Sequence, residues 1–289
     1  MLCHKLEVPV PDPQAIDDRW LLKQESAFAP LPLEALASRP KPNTLPFRNV
    51  SSALYNGMIA PLVPFGMRGV IWYQGESSAS RHTEYRPLLT GLIKDWRSQW
   101  GQGDFPFIIQ QLVNNDLPPK DADQRYASWP YLREAQTQVA DSVPNAGIAV
   151  GIELGSKDTI HPKNKQDVGL RLALVALEKT YGRTLESSGP RYRDMKIEGS
   201  TIRLAFTHAS GLASKGGALQ RFAIAGQDKK FVWAEAKIDG ECVIVSSPTV
   251  SQPIAVRYAW ADNPDGCNPF NGAGRSASPF RTDDWPANR

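Results

Sequence analysis

Two polar clusters carry the residue types that acid–base chemistry requires. One is Gln74-Gly75-Glu76-Ser77-Ser78; the other runs from Glu153 to His161 and contains Asp158-Thr159-Ile160-His161. An acid near a histidine can orient the imidazole and stabilise its protonated form. Backbone donors around a glycine can stabilise an oxyanion, because no side chain blocks close approach. His161, Asp158 and Glu76 are therefore candidate catalytic residues, and Gln74, Gly75, Ser77 and Ser78 candidate substrate contacts. His161 and Asp158 could also hold a divalent metal such as zinc, which lowers the pKa of bound water. Each pattern has a plainer origin. A loop Asp–His pair is commonly a solvated turn at a helix entry, and a Gln-Gly-Glu triplet after a strand is commonly a turn. The sequence offers no clustered His or Cys to complete a metal site, and the three cysteines, Cys3, Cys242 and Cys267, form no CxxC pair.

The surrounding elements would place both clusters at strand ends. Gly69 to Gln74 is short, β-branched and aromatic, and is followed at once by Gly75, which predicts a buried strand. Phe105 to Leu112 and Ala146 to Leu154 predict two more. Between them, residues 83 to 100 predict an amphipathic helix with Leu88, Leu89, Leu92, Ile93, Trp96 and Trp100 at helical spacing. Tyr131 to Ser142 predicts a second helix. A third follows Pro162, as a first-turn residue, with Val168, Leu172 and Val175 on one face and its end near Gly182. Strands alternating with helices imply a parallel sheet covered on both faces, with ligands beyond the carboxyl ends of its strands. Beyond Pro190 the pattern becomes short strands and turns: Met195 to Phe206, Leu219 to Ala225, Lys230 to Ala236, Cys242 to Ser246 and Ile254 to Ala259. That predicts an antiparallel β-module over residues 190 to 289. Residues 1 to 50 read as irregular, proline-rich from 11 to 50, with one short helix around Ile16 to Glu25; a further short helix is expected after them, over Leu54 to Leu62. The α/β core is expected over residues 51 to 187.

Several longer motifs resemble one family. Trp72-Tyr73-Gln74-Gly75-Glu76-Ser77, preceded by Leu54-Tyr55-Asn56-Gly57-Met58-Ile59-Ala60-Pro61-Leu62, is similar to a hallmark of the sialate O-acetylesterases, which are SGNH (GDSL-like) hydrolases. His161-Pro162-Lys163-Asn164-Lys165-Gln166-Asp167-Val168-Gly169 resembles the family's catalytic-histidine segment. Tyr258-Ala259-Trp260-Ala261-Asp262-Asn263-Pro264 and Ser278-Pro279-Phe280-Arg281-Thr282-Asp283 are similar to segments of its bacterial members. The resemblance implies an α/β fold, a flavodoxin-like (SGNH) three-layer parallel sheet with a C-terminal antiparallel β-module. It implies that His161 is the base, Asp158 its orienting acid, and Gln74 and Gly75 part of the oxyanion or substrate-positioning block. It also implies a serine nucleophile in a Gly-Gln-Ser-Asn block. No such block occurs in the 289 residues, and Leu6 to Val10, which resembles the lead-in to a later Gly-Gly block, runs straight into Pro11-Asp12-Pro13. The expectation is an N-terminally truncated member without its serine nucleophile.

Three functions follow as expectations. The first is a carbohydrate-active hydrolase that uses Asp, His and Glu, with or without a divalent metal, for glycosidase-like or sugar-ester hydrolysis. The second is a residual carbohydrate O-acetylesterase, with Ser77, Ser78 or water as nucleophile. The third is a non-catalytic sugar-binding or dimerising remnant. The partner expected is a sugar or sugar-ester substrate, with a homodimer covering the exposed sheet edge. A net charge of +3 is no nucleic-acid footprint, and no apolar run approaches the ~20 residues that cross a bilayer. No secretory signal is visible after Met1, so the expected location is cytoplasmic or periplasmic. His82 and His208 read as solvent-exposed, Cys3 and His4 as surface residues, and Cys267 as packed.

Overall fold

The computed structural model of the chain describes residues 52–124 and 127–287. The expected helix at Ile16 to Glu25, and Cys3 and His4, lie outside them. Leu54 to Leu62 forms a π-helical turn, Tyr55–Ile59, followed by a 3₁₀ turn, Ala60–Leu62.

From Leu62 on the chain is one compact unit, Leu62–Arg289. Its first part is a three-stranded sheet of β1 (Val70–Trp72), β2 (Phe107–Gln110) and β3 (Ala146–Ala149), in that order and all parallel. Three helices alternate with it: α1 (His82–Trp100), α2 (Trp129–Ser142) and α3 (Lys165–Lys179). Side chains alternate along each strand, so the sheet has two faces. Phe107, Ile109 and Ala146 pack with Leu89 and Ile93 of α1 and Leu132, Ala135 and Val139 of α2. Ile108 and Ala149 pack with Val168, Leu172 and Val175 of α3. Helices therefore cover both faces, as the alternation of elements predicts. In α1 the buried set is Tyr85, Leu89, Ile93 and Arg97, a strict four-residue repeat. Leu88, expected in the buried face, is instead 63% exposed, because it lies about 100° round the helix from Leu89. Nor does Pro162 open α3. Asn164 does, its Oδ1 accepting the Asp167 N–H at 3.1 Å, a cap of about 1 kcal/mol.

Beyond Gly189 the chain is antiparallel. One sheet has the order β4 (Arg191–Glu198), β5 (Thr201–Thr207), β10 (Cys242–Ser246), β9 (Glu235–Asp239). A second has the order β13 (Phe280–Arg281), β11 (Ala255–Tyr258), β7 (Phe222–Ala225), β8 (Val232–Trp233). A two-stranded ribbon joins β6 (Ala213–Ser214) to β12 (Pro269–Phe270). Ile202, Leu204, Val243 and Val245 of the first sheet share one core with Phe222, Ile224, Val256 and Tyr258 of the second. The single strand expected over Met195 to Phe206 is two, because Gly199 at φ 62° turns the chain into a hairpin. Lys230 to Ala236 likewise divides between two sheets.

The two parts are fastened together at the carboxyl end of the parallel sheet. Ile152, just after β3, is fully buried in the core of the β-module. Asp262 of the β-module caps α2, its carboxylate accepting the Ser128 and Trp129 N–H groups at 3.1 and 2.9 Å. Burial raises the Asp262 pKa despite these bonds and the Arg133 charge.

Candidate active site

The carboxyl ends of β1, β2 and β3 lead into three loops, and buried polar side chains of α2 set their positions. Gln136 is fully buried and spans two of them. Its Oε1 accepts the Leu112 N–H at 2.9 Å, and its Nε2 donates to the Gln74 carbonyl at 3.1 Å. Tyr85 of α1 also donates to the Gln74 carbonyl, at 2.8 Å. Arg133, one turn from Gln136 and also fully buried, donates to the carbonyls of Leu112, Val113, Ala261 and Asp262 at 2.7–2.8 Å. Burial pushes its pKa down to about 10, so it remains a cation at neutral pH. Asn114 links the second loop to the third. Its Oδ1 accepts the Gly155 N–H at 2.6 Å, and its Nδ2 donates to Asn263 at 2.9 Å.

Gly75 is at the tightest point of the first loop. A Cβ there would meet Leu132 Cδ2 at 2.7 Å and Leu112 Cδ1 at 3.3 Å, so only glycine lets the loop lie against α2. Overpacking of that kind costs about 1–3 kcal/mol. Gly75→Ala should accordingly lower the urea midpoint of unfolding, and an unchanged midpoint would contradict the packing described. The Gly75 N–H donates to Glu76 Oε2 at 2.9 Å, so this amide already holds an anionic oxygen. Ser78 N–H then closes on the Gly75 carbonyl at 2.8 Å and starts the 3₁₀ turn Glu76–Arg81. Ser77 is exposed and Ser78 half-buried.

The third loop is fixed at its base and open at its tip. Arg171 of α3 donates to the Val150 carbonyl at 2.6 Å and to Ser276 Oγ at 2.8 Å, and is ion-paired with Glu153. Further on, the Asp158 N–H donates to Ser156 Oγ at 3.2 Å and the His161 N–H to Thr159 Oγ1 at 3.0 Å. Pro162 is buried, which anchors the chain directly after His161. The Asp158 carboxylate and the His161 ring are both exposed, and among the described residues neither makes a side-chain hydrogen bond or ion pair, with the other or with any group.

Lys165, four residues after His161, brings the third loop toward the first. Its Nζ lies 5.2 Å from the ring centroid of Tyr73, the residue before Gln74. The Tyr73 hydroxyl is buried without a partner, and burial, followed by the Glu76 charge, pushes its pKa up to about 12. It is therefore a protonated donor at neutral pH.

The structure thus groups Gln74, Gly75 and Glu76 in one turn, and sets Asp158 and His161 on a loop from the same edge of the sheet. Among the described residues no three His, Cys, Asp or Glu side chains gather to hold a metal, so the two metal-ligand candidates, His161 and Asp158, have no third. His82 departs from expectation: it is half-buried, with its ring stacked on Tyr131 at 4.9 Å. His208 is exposed, with Nδ1 2.9 Å from Glu186, and Cys267 is buried. Sequence reasoning missed Arg133, Gln136, Asn114 and Tyr73. Arg133 and Gln136 do sit on the α2 face that holds Leu132 and Val139, which is the signal that could have found them.

Comparison with known proteins agrees with this frame. Residues 45–178 match the family described as carbohydrate esterase, sialic acid-specific acetylesterase. The human sialate O-acetylesterase is 29% identical, over 83% of this chain and 52% of its own length. The mouse sialate O-acetylesterase is 31% identical, over 74% and 43%. Among solved structures, a carbohydrate acetylesterase from Xanthomonas citri superposes with a TM-score of 0.76 at 43% identity, over 80% of this chain and 54% of that one. The chain spans about half the length of these relatives. With the motifs in order and the fold shared, the chain belongs to the sialate O-acetylesterase family of carbohydrate esterases.

Proposed function

We propose that the chain hydrolyses O-acetyl esters on sugars at the carboxyl edge of its parallel sheet, with His161 as general base. The observation that carries this reading is the Gly75 amide, which holds a carboxylate oxygen on the edge from which the His161 loop also projects. An acetyl ester carbonyl becomes an oxyanion when attacked, and an amide aimed at that oxygen stabilises it. Glu76 would have to yield the amide to substrate, which makes it an internal stand-in for the oxyanion. The names of the similar proteins support the ester and the sugar. We read the helix–sheet–helix arrangement as the flavodoxin-like SGNH architecture.

The nucleophile in this reading is water, which reaches His161 because its ring is exposed and no side-chain partner among the described residues occupies it. His161 takes a proton from water as its oxygen attacks the carbonyl carbon. The tetrahedral oxyanion collapses, the C–O bond to the sugar breaks, and the proton passes from His161 to the sugar oxygen, leaving the free hydroxyl and acetic acid, which gives its proton to solvent to become acetate. Asp158 orients the imidazole when substrate closes the site, since catalytic hydrogen bonds often tighten only in the complex. The test is aryl-acetate turnover by Ser77→Ala, Ser78→Ala and chelator-treated protein. Turnover close to wild type in all three fits water and His161. Loss with either serine variant identifies a serine nucleophile, and loss on chelation identifies metal-bound hydroxide.

The same reading includes a homodimer. Ile71 on the outer strand β1 is 64% exposed, and Leu170, Leu177 and Tyr181 of the α3 region are exposed as well. Sedimentation at micromolar concentration should give a dimer, with more than ~1,000 Å² buried in total. A monomer at that concentration would contradict it.

A further inference from the structure

The segment Tyr258-Ala259-Trp260-Ala261-Asp262-Asn263-Pro264 begins on the last residue of β11 and runs out to the loop after β2. Its Asn263 is almost fully buried, and two of its three side-chain hydrogen bonds leave the β-module. Asn263 Oδ1 accepts the Asn114 Nδ2 at 2.9 Å and, within its own turn, the Asp265 N–H at 3.1 Å. Its Nδ2 donates to the Asp116 carbonyl. Asn114 passes the contact on, because its Oδ1 accepts the Gly155 N–H at 2.6 Å. Gly155 lies six residues before His161. Beside it, a parallel bridge pairs Asn115 with Ser156, and the Asn115 N–H donates to the Asp262 carbonyl at 3.2 Å.

Backbone groups at both ends fix the two amides. Asn114 has to present oxygen to the Gly155 N–H. Asn263 has to present oxygen to the Asp265 N–H and nitrogen to the Asp116 carbonyl. Neither side chain can flip without setting donor against donor or acceptor against acceptor. The relay therefore has one arrangement, and both amides are buried, where an unmade bond is costly. Beyond Gly155 the third loop is held by contacts within itself, Asp158 to Ser156 and His161 to Thr159, and by buried Pro162. Its base thus decides where its tip lies. Displacing a reacting group by ~1 Å can cost about 100-fold in rate.

We propose that Asn263 is a positioning residue for the histidine loop, and that the β-module sets the place of His161 through Asn263, Asn114 and Gly155. The proposal rests on the assignment of His161 as general base. The variant that tests it is Asn263→Ser. A serine hydroxyl can keep the turn with the Asp265 N–H, but it is one bond shorter and loses Asn114. With an aryl acetate, kcat should fall by about 10- to 100-fold while KM stays within about twofold. The Gly155 amide, followed by hydrogen exchange in heavy water, should exchange about three- to tenfold faster. Amides of β7 and β11 should keep their wild-type rates, which shows that the β-module is folded. Asn114→Ala should give losses of the same kind. The double variant should be no slower than Asn114→Ala alone, because both changes break one relay, whereas independent losses would multiply. A wild-type exchange rate at Gly155 in Asn263→Ser would overturn the proposal. So would losses that multiply in the double variant, or a raised KM at unchanged kcat. If the wild-type chain turns over no ester, or His161→Ala keeps full turnover, the assigned reaction falls instead, and exchange at Gly155 alone decides whether Asn263 holds the loop.

Discussion

Replacing His161 with alanine should lower acetyl-ester hydrolysis by about 10²- to 10⁴-fold, the usual worth of a positioned general base. The loop that carries it is held by the Thr159 contact and by buried Pro162, so the backbone should survive the change and thermal unfolding should stay near wild type. Asp158→Asn should also slow the reaction, but less, because in the structure its carboxylate does not bond the imidazole. Initial rates with an aryl acetate, together with a melting curve for each variant, give the comparison. Wild-type turnover by His161→Ala would remove the assigned base.

The largest effect on stability is expected at Arg133. Arg133→Met is close in volume yet strands three buried carbonyls, at Leu112, Val113 and Ala261, and leaves the half-buried Asp262 carbonyl with only the Asn115 N–H at 3.2 Å. It also removes the charge beside Asp262, which is already raised in pKa by burial. Breaking a buried charge network from one side costs about 3–5 kcal/mol. That is a large share of the roughly 5–15 kcal/mol that holds a domain folded. Urea unfolding should show a much lower midpoint. Because the same side chain positions the loop after β2 and the Asp262 segment, activity should fall with it. A loss below about 1 kcal/mol would mean that water or neighbouring donors replace the guanidinium.

These two residues differ in how legible they are. His161 announces itself, since a histidine three residues after an aspartate, behind an apolar strand and before a helix, is a local pattern. The strands and helices that carry it are equally local, because burial on one face or two writes itself into periods of about two and 3.6 residues. Arg133 and Gln136 are not local. Polar residues on a helix read as its wet face, and only the tertiary fold shows that this face lies under three loops and the β-module. Leu88 is the converse case, an apolar residue one position off the buried stripe. The hairpin at Gly199 was legible in principle, since Gly-Ser between two β-rich runs is a turn signal. The longer apolar run around it masks that signal.

The account's central claim is the bond that is cleaved. Acetate and sugar should be followed together by NMR when the purified chain is incubated with an O-acetylated glycoside. The account predicts that acetate appears at one equivalent per ester lost while the glycosidic bond stays whole, and that His161→Ala stops both changes. Cleavage of the glycosidic bond with the acetyl group retained, or no release of acetate by folded protein, would contradict it.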